Sequence, residues 1–136
     1  MNQHTLITKL LKTTKTIAVV GMSSRVHRAG YYVPAYLQGQ GYKIIPVNPF
    51  LKEPVLGEEP YAQLSDIPIL VDMVLIFQRS ENVPPFVDQA IEIGAKAVWM
   101  QQGIAHIPAA EKARGAGLDV VMDACMLVEH RNAHNL

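Results

Sequence analysis

Five short apolar runs punctuate the chain, at 16–20, 42–47, 71–77, 96–100 and 119–122, and none of them alternates with polar residues. A strand exposed on one face alternates apolar and polar positions, whereas a strand covered on both faces reads as a continuous apolar run. The five runs are therefore predicted to be buried strands. Between them lie windows of helical period. Residues 31–38 end at Gly39 and Gly41; residues 84–93 carry Phe86, Val87, Ala90 and Ile91 on one face and end at Gly94; residues 108–116 end at Gly117. Proline near the start and glycine just past the end is the expected punctuation of a helix. Ahead of the first strand, Leu6, Ile7, Leu10 and Leu11 fall at helical spacing behind Thr5, a candidate cap. Between 48 and 70 only a turn around 61–64 is expected, because Pro60 and Pro68 bracket it.

Strands alternating with helices at this spacing imply right-handed crossovers and a parallel sheet. The predicted fold is α/β: a Rossmann-like, doubly wound five-stranded parallel sheet in the order 3-2-1-4-5, one domain over 1–136, with 1–14 as an N-terminal helix and 123–136 as a C-terminal tail. Such sheets bind ligands beyond the carboxyl ends of their strands. The loops to inspect are 21–30, the one from 48 onward, 78–85 and 101–108.

Composition narrows the class. With 49% hydrophobic and 18% charged residues among 136, the chain buries enough apolar surface to fold as one unit. No apolar run approaches the length of a membrane span, and the first residues lack a signal-peptide pattern, so a cytoplasmic protein is expected. The single cysteine, Cys125, forbids an internal disulfide. The net charge is zero, but it is divided: residues 1–52 hold seven basic side chains and no acid, while the remainder holds five bases and all twelve acids. Of the basic residues, Arg25, Arg28, Lys43 and Lys52 are those the topology is expected to bring near a ligand.

The first strand runs straight into Gly21-Met22-Ser23-Ser24-Arg25-Val26-His27-Arg28-Ala29-Gly30 and then a helix. A glycine permits the sharp turn, helix-start N–H groups favour an anion, the serines add hydroxyls, and Arg28 is suited to a bidentate grip on phosphate. The same pattern also serves a plain strand-to-helix turn. The G-x-G-x-x-G fingerprint is absent, since the next glycine after Gly21 is Gly30, and no P-loop pattern occurs. An NAD site calls for an acid about 20 residues on, at the end of the second strand; here the chain reads Ile45-Pro46-Val47-Asn48-Pro49, with no acid before Glu53. That suits a ligand with an additional phosphate, NADP or coenzyme A.

Five blocks in order carry a family resemblance: Ile17-Ala18-Val19-Val20-Gly21-Met22-Ser23; Gly41-Tyr42-Lys43-Ile44-Ile45-Pro46-Val47-Asn48-Pro49; Val71-Asp72-Met73-Val74-Leu75-Ile76-Phe77; Gly94-Ala95-Lys96-Ala97-Val98-Trp99-Met100-Gln101-Gln102-Gly103; and Met122-Asp123-Ala124-Cys125-Met126-Leu127-Val128-Glu129-His130. Over about residues 15–131 the chain resembles the small stand-alone CoA-binding domain proteins, which are similar to the N-terminal domain of the succinyl-CoA synthetase α subunit. The resemblance implies that Gly21, Met22, Ser23 and Ser24 hold CoA phosphates through main-chain N–H groups, with Arg28 beside them. It implies that Val47, Asn48 and Pro49 border the nucleotide with Lys52 as a charge partner. Phe77 and Arg79 would line the cleft, and Met100, Gln101 and Gln102 would face the pantetheine arm. Two departures fall in the first loop: 25–27 lacks a proline often found there, and Gly30 replaces a frequent serine.

The remaining chemistry is sparse. His130-x-x-x-His134, with Cys125 and Asp123 nearby, has a metal-like spacing but sits at the chain end, so no metal site is expected. Cys125 and Trp99 read as packing, and His27 as a loop residue. The expected cleft loops contain neither a Ser-His-Asp order nor paired carboxylates, and the phosphoryl-transfer machinery of the synthetase relatives belongs to other domains. The reading is a non-catalytic binder of CoA or acyl-CoA, with a protein partner or homodimer open and neither nucleic acid nor membrane implied. Its alternatives are an NADP-linked oxidoreductase and a ligand-free interaction subunit that docks through its N-terminal helix.

Overall fold

A computed structural model describes residues 2–133. All five apolar runs form strands: β1 (Thr16–Val20), β2 (Lys43–Val47), β3 (Met73–Ile76), β4 (Ala97–Met100) and β5 (Asp119–Val121). They pair in parallel throughout. Side chains alternate between the two faces, so each strand feeds two cores. Val20, Val74, Ile76 and Val98 pack under helices α3 (Val83–Glu92) and α4 (Ile107–Gly115). Val19, Leu75 and Trp99 pack on the other face under α1 (Gln3–Thr13), α2 (Ala29–Gly39) and α5 (Met126–Asn132). Double coverage is what their unbroken apolar runs require.

The strand order is β2-β1-β3-β4-β5, not the expected 3-2-1-4-5. The fold remains α/β, Rossmann-like and doubly wound, with β3 on the opposite side of β1 from β2. Pro46 gives the physical reason. Its carbonyl faces away from β1 and accepts the Tyr61 N–H at 2.9 Å. The proline nitrogen faces the same outer side, where its missing proton costs no ladder bond, so β2 tolerates Pro46 only as an edge strand. The expected order would have placed that proline between two strands. The strand sequence therefore switches sides at β1, with β2 on one flank and β3 on the other, and the crevice at that switch point is where such sheets receive ligands.

Three local expectations shift. Asn2, not Thr5, caps α1: its Oδ1 accepts the Thr5 N–H at 2.9 Å. The turn between Pro60 and Pro68 is a single 3₁₀ turn at Leu64–Asp66, because Tyr61 is drawn into a bridge with Val47. The segment read as a C-terminal tail carries α5, which is anchored by fully buried Met126 and by a 2.8 Å hydrogen bond between the Tyr36 hydroxyl and His130 Nδ1. The apolar face of α1, Ile7, Leu10 and Leu11, packs into this chain's own core.

Candidate functional site

The loops after β1, β2 and β3 enclose an open cleft of about 570 Å³ at the switch point. Gly21 makes it possible. Its φ of +82° suits glycine, and a Cβ there would stand 2.2 Å from the Phe77 carbonyl oxygen, so the turn after β1 can lie against the end of β3 only without a side chain. Gly30 closes the same turn from the helix side. A Cβ at Gly30 would lie 3.0 Å from the Gly21 carbonyl oxygen. Glycines nine positions apart in sequence thus meet in space, much as the glycines of a dinucleotide loop do.

A second proline organises this loop. Pro34 sits inside α2 and has no N–H to give the Gly30 carbonyl four residues back. That carbonyl accepts the Ser23 N–H instead, at 3.1 Å, and ties the loop to the helix. The Gly21 N–H is likewise committed, to Val47 at 3.0 Å. Two of the four main-chain donors expected to hold phosphate are therefore used by the fold. Ala29 and Gly30, in the first turn of α2, line the cleft, and their N–H groups have no intrahelical acceptor. The residue at the N-cap is Arg28, whose side chain caps nothing. An uncapped helix start, opening into a cleft, is a natural seat for an anion.

Arg25 and Arg28 both line this cleft and both are exposed, and no carboxylate is among its lining residues. Asn48 crosses the floor: its Nδ2 donates to the Met22 carbonyl at 3.0 Å and its Oδ1 accepts the Phe50 N–H at 2.9 Å. This amide fastens the loop after β2 to the loop after β1. It also fixes the position of Phe50, whose side chain stands 86% exposed at the rim.

Seven of the expected residues meet here: Gly21, Met22, Ser23, Ser24, Arg28, Asn48 and Phe77. The others lie elsewhere. Val47 is buried in the core, and Pro49 and Lys52 turn outward, with the Lys52 ammonium 3.4 Å from the Pro49 carbonyl. Arg79 is exposed at the turn leading into α3. Met100 is fully buried, Gln101 is buried with its Oε1 accepting the Met126 N–H at 3.3 Å, and Gln102 faces out. Lys43 begins β2, so four strand residues, roughly 13 Å, separate it from the carboxyl end. Arg25, expected near a ligand, does line the cleft, and Phe50 and Leu51 line it without having been expected there. The signal for Arg25 was its place in the first loop; for Phe50 and Leu51 it was an apolar pair in a loop that no strand or helix claims.

Outside the cleft, Cys125 is half-buried at the start of α5, and His27 is exposed. His130 is occupied by Tyr36, and His134 lies outside the described residues.

The model of the CoA binding domain family matches residues 15–131. The chain belongs to that family. It is 38% identical to the uncharacterized protein YneT of Bacillus subtilis (strain 168) over 124 residues, 91% of each chain. A hypothetical protein from Pyrococcus horikoshii OT3 superposes with a TM-score of 0.90 at 38% identity, covering 96% of this chain and 91% of that one. The dinucleotide-forming acetyl-coenzyme A synthetase 1 of Ca. Korarchaeum cryptofilum, solved in complex with phosphate and ADP, matches with a TM-score of 0.71 at 25% identity. That match covers 83% of this chain but only 27% of the synthetase. Among the described residues no helix is long and apolar enough to cross a membrane.

Proposed function

We propose that this domain binds coenzyme A or an acyl-CoA at the carboxyl ends of β1, β2 and β3, and that it does so without catalysing a reaction. The observation that carries the reading is the cleft itself: two arginines and the uncapped start of α2 converge on it, and no carboxylate lines it. A phosphate group there accepts from the Ala29 and Gly30 N–H groups and pairs with Arg28 and Arg25. The Ser23 and Ser24 hydroxyls are at hand, while Ser23's own N–H stays with Gly30. Asn48 shapes the cleft floor and Phe77 its wall. Membership of the CoA binding domain family supports coenzyme A as the phosphorylated ligand.

Isothermal titration of the full chain tests the proposal. CoA is expected to bind saturably and more weakly as salt is added, because the contacts are charge-based. Alanine at Arg28 together with Ser23 is expected to weaken binding by roughly tenfold or more, the scale of one lost charged hydrogen bond. Absence of measurable heat with CoA and acetyl-CoA at near-millimolar concentration, or preferential binding of NADPH, would overturn it.

A further inference from the structure

The lysines at the amino end of the sheet fall into two groups. Lys9 and Lys96 pair with Asp119 and Asp72 at 3.0 and 3.7 Å, and Lys43 lines a small hollow together with Glu58 and Glu59. Lys12 and Lys15 differ: both are exposed, neither pairs with a carboxylate among the described residues, and both line a hollow of about 560 Å³ that has no acid among its described lining residues. The end of α1, the turn from Gln40 to Tyr42 ahead of β2, and His130 of α5 enclose it. It is nearly as large as the cleft at the carboxyl edge and lies at the other end of β1, about 16 Å of strand away. His130 is fixed in place. Its Nδ1 is bonded to the Tyr36 hydroxyl at 2.8 Å, and its ring makes edge-to-face contacts with Tyr36 and Tyr42 at centroid distances of 5.4 and 5.9 Å. Tyr42 is tied in turn, donating to the Leu11 carbonyl at 2.6 Å. With Nδ1 so occupied, Nε2 is the free polar atom of the ring. In a ring that accepts from Tyr36, or in one that is doubly protonated, this nitrogen carries an N–H.

We propose that this hollow is a second binding site, taking a small oxyanion, a carboxylate or phosphate group carried on a small molecule, held by Lys12, Lys15 and the His130 Nε2–H. The site goes beyond the CoA reading and does not depend on it. Charge decides the class of ligand. Thr14 and Gln40, which close α1 and α2, both line the hollow, so two helix carboxyl ends face it and bring about half a negative charge each. Two ammonium groups more than offset these and leave roughly one net positive charge before the imidazole is counted. That balance suits an anion of one or two charges and repels a cation. Lys12, in the last turn of α1, is accounted for by the helix end alone. Lys15 lies beyond that helix and His130 on another, and a ligand is what brings the three to one purpose. The volume lies within the range of about 300–1,000 Å³ typical of small-molecule sites.

Residue-resolved NMR on the isotopically labelled full chain tests the site, with inorganic phosphate and acetate as separate probes and sodium chloride at matched ionic strength as the control. The expected result is saturable movement of the Lys15, Gly41 and Tyr42 amides and of the His130 ring resonances with phosphate or acetate, half-complete by about 10 mM, beyond anything chloride produces. The probe that saturates at the lower concentration identifies the headgroup. Phosphate seated in the cleft is read separately, at Ala29 and Gly30. Lys12→Gln combined with Lys15→Gln, both exposed positions, is expected to raise the half-saturation concentration at the hollow by about tenfold or more. Lys43→Gln removes a charge at the same end but outside the hollow, and is expected to change it by less than about twofold. Linear shifts that match the chloride control, saturation that survives the double substitution, or an equal loss with Lys43→Gln overturns the site and leaves the CoA reading untouched. Saturation at the hollow in a chain that binds no CoA upholds the site and overturns the CoA reading alone.

Discussion

Gly21 and Asn48 do for the cleft what no ligand-contacting side chain does: they set its shape. Gly21 combines a left-handed backbone with a contact too close for any Cβ, so Gly21→Ala is expected to cost at least about 2 kcal/mol, read as a lower urea midpoint. Asn48→Ala removes the bond to the Met22 carbonyl and the bond that holds Phe50. About 1 kcal/mol of stability is expected to go with them, together with a clear loss of CoA affinity even though the side chain's two bonds are both internal. At this scale the sequence spoke clearly only where chemistry and position coincided. Gly21, Ser24 and Arg28 sit in a loop that the strand pattern already placed at the carboxyl edge. Asn48 was legible as a residue at the carboxyl edge of the sheet but not as a strut, because its role depends on a carbonyl 26 residues away. Met100 and Gln101 lie at the carboxyl end of their strand as expected, but both are buried, and Gln101 accepts the Met126 N–H at the start of α5, a contact that no local pattern announces.

Two prolines shape the elements around the site, and each acts through the proton it lacks. Pro46 marks β2 as an edge, and that mark was present in the sequence: a proline inside an apolar strand run excludes a central place in the sheet, which is enough to reject the order 3-2-1-4-5. Pro34 was not readable in this way, since its effect is to release the Gly30 carbonyl for a bond to Ser23 that only the fold brings within reach. Restoring an N–H at that position, with Pro34→Ala, is expected to leave α2 formed but to create a competitor for the Gly30 carbonyl. Faster amide hydrogen exchange at Ser23, with α2 otherwise unchanged, is the result that checks it. Strand existence and helix existence were recovered closely because double-sided burial leaves an unmistakable apolar run. Caps and short turns were not, because Asn2 over Thr5 and Leu64–Asp66 over the earlier turn were decided by individual hydrogen bonds.

Across the whole molecule, the zero net charge hides a division that the fold resolves unevenly. Lys9 pairs with Asp119 at 3.0 Å, while Lys12 and Lys15 line a separate hollow at the amino end of the sheet, so of the seven bases before residue 53 only Arg25 and Arg28 line the cleft. The same amino end holds the groups that make stability depend on pH. Burial alone would raise the Asp72 carboxyl, but the Thr16 and Lys15 N–H groups and the Lys96 ammonium outweigh it and hold the carboxyl below its ordinary value. A depressed carboxyl contributes stability above the unfolded value, near pH 4, and loses it as pH falls through the folded value. Asp72→Asn is therefore expected to be less stable than the parent at neutral pH, on the order of 1 kcal/mol, with the gap closing in acid, as urea melts at several pH values will show. At the alkaline end, burial raises the Tyr42 phenol, which donates to the Leu11 carbonyl at 2.6 Å, so its contribution is complete below about pH 10 and is lost as pH rises through the folded value.

The central claim is that a phosphorylated cofactor of the CoA type seats in the cleft at the β1–β3 switch point. Titrating CoA into isotopically labelled full-length protein and following its backbone amides tests it most directly. The account predicts saturable shifts at Ser24, Ala29, Gly30, Phe50 and Phe77, with α3 and α4 quiet. Shifts confined to α3 and α4, or none at near-millimolar CoA, would contradict it.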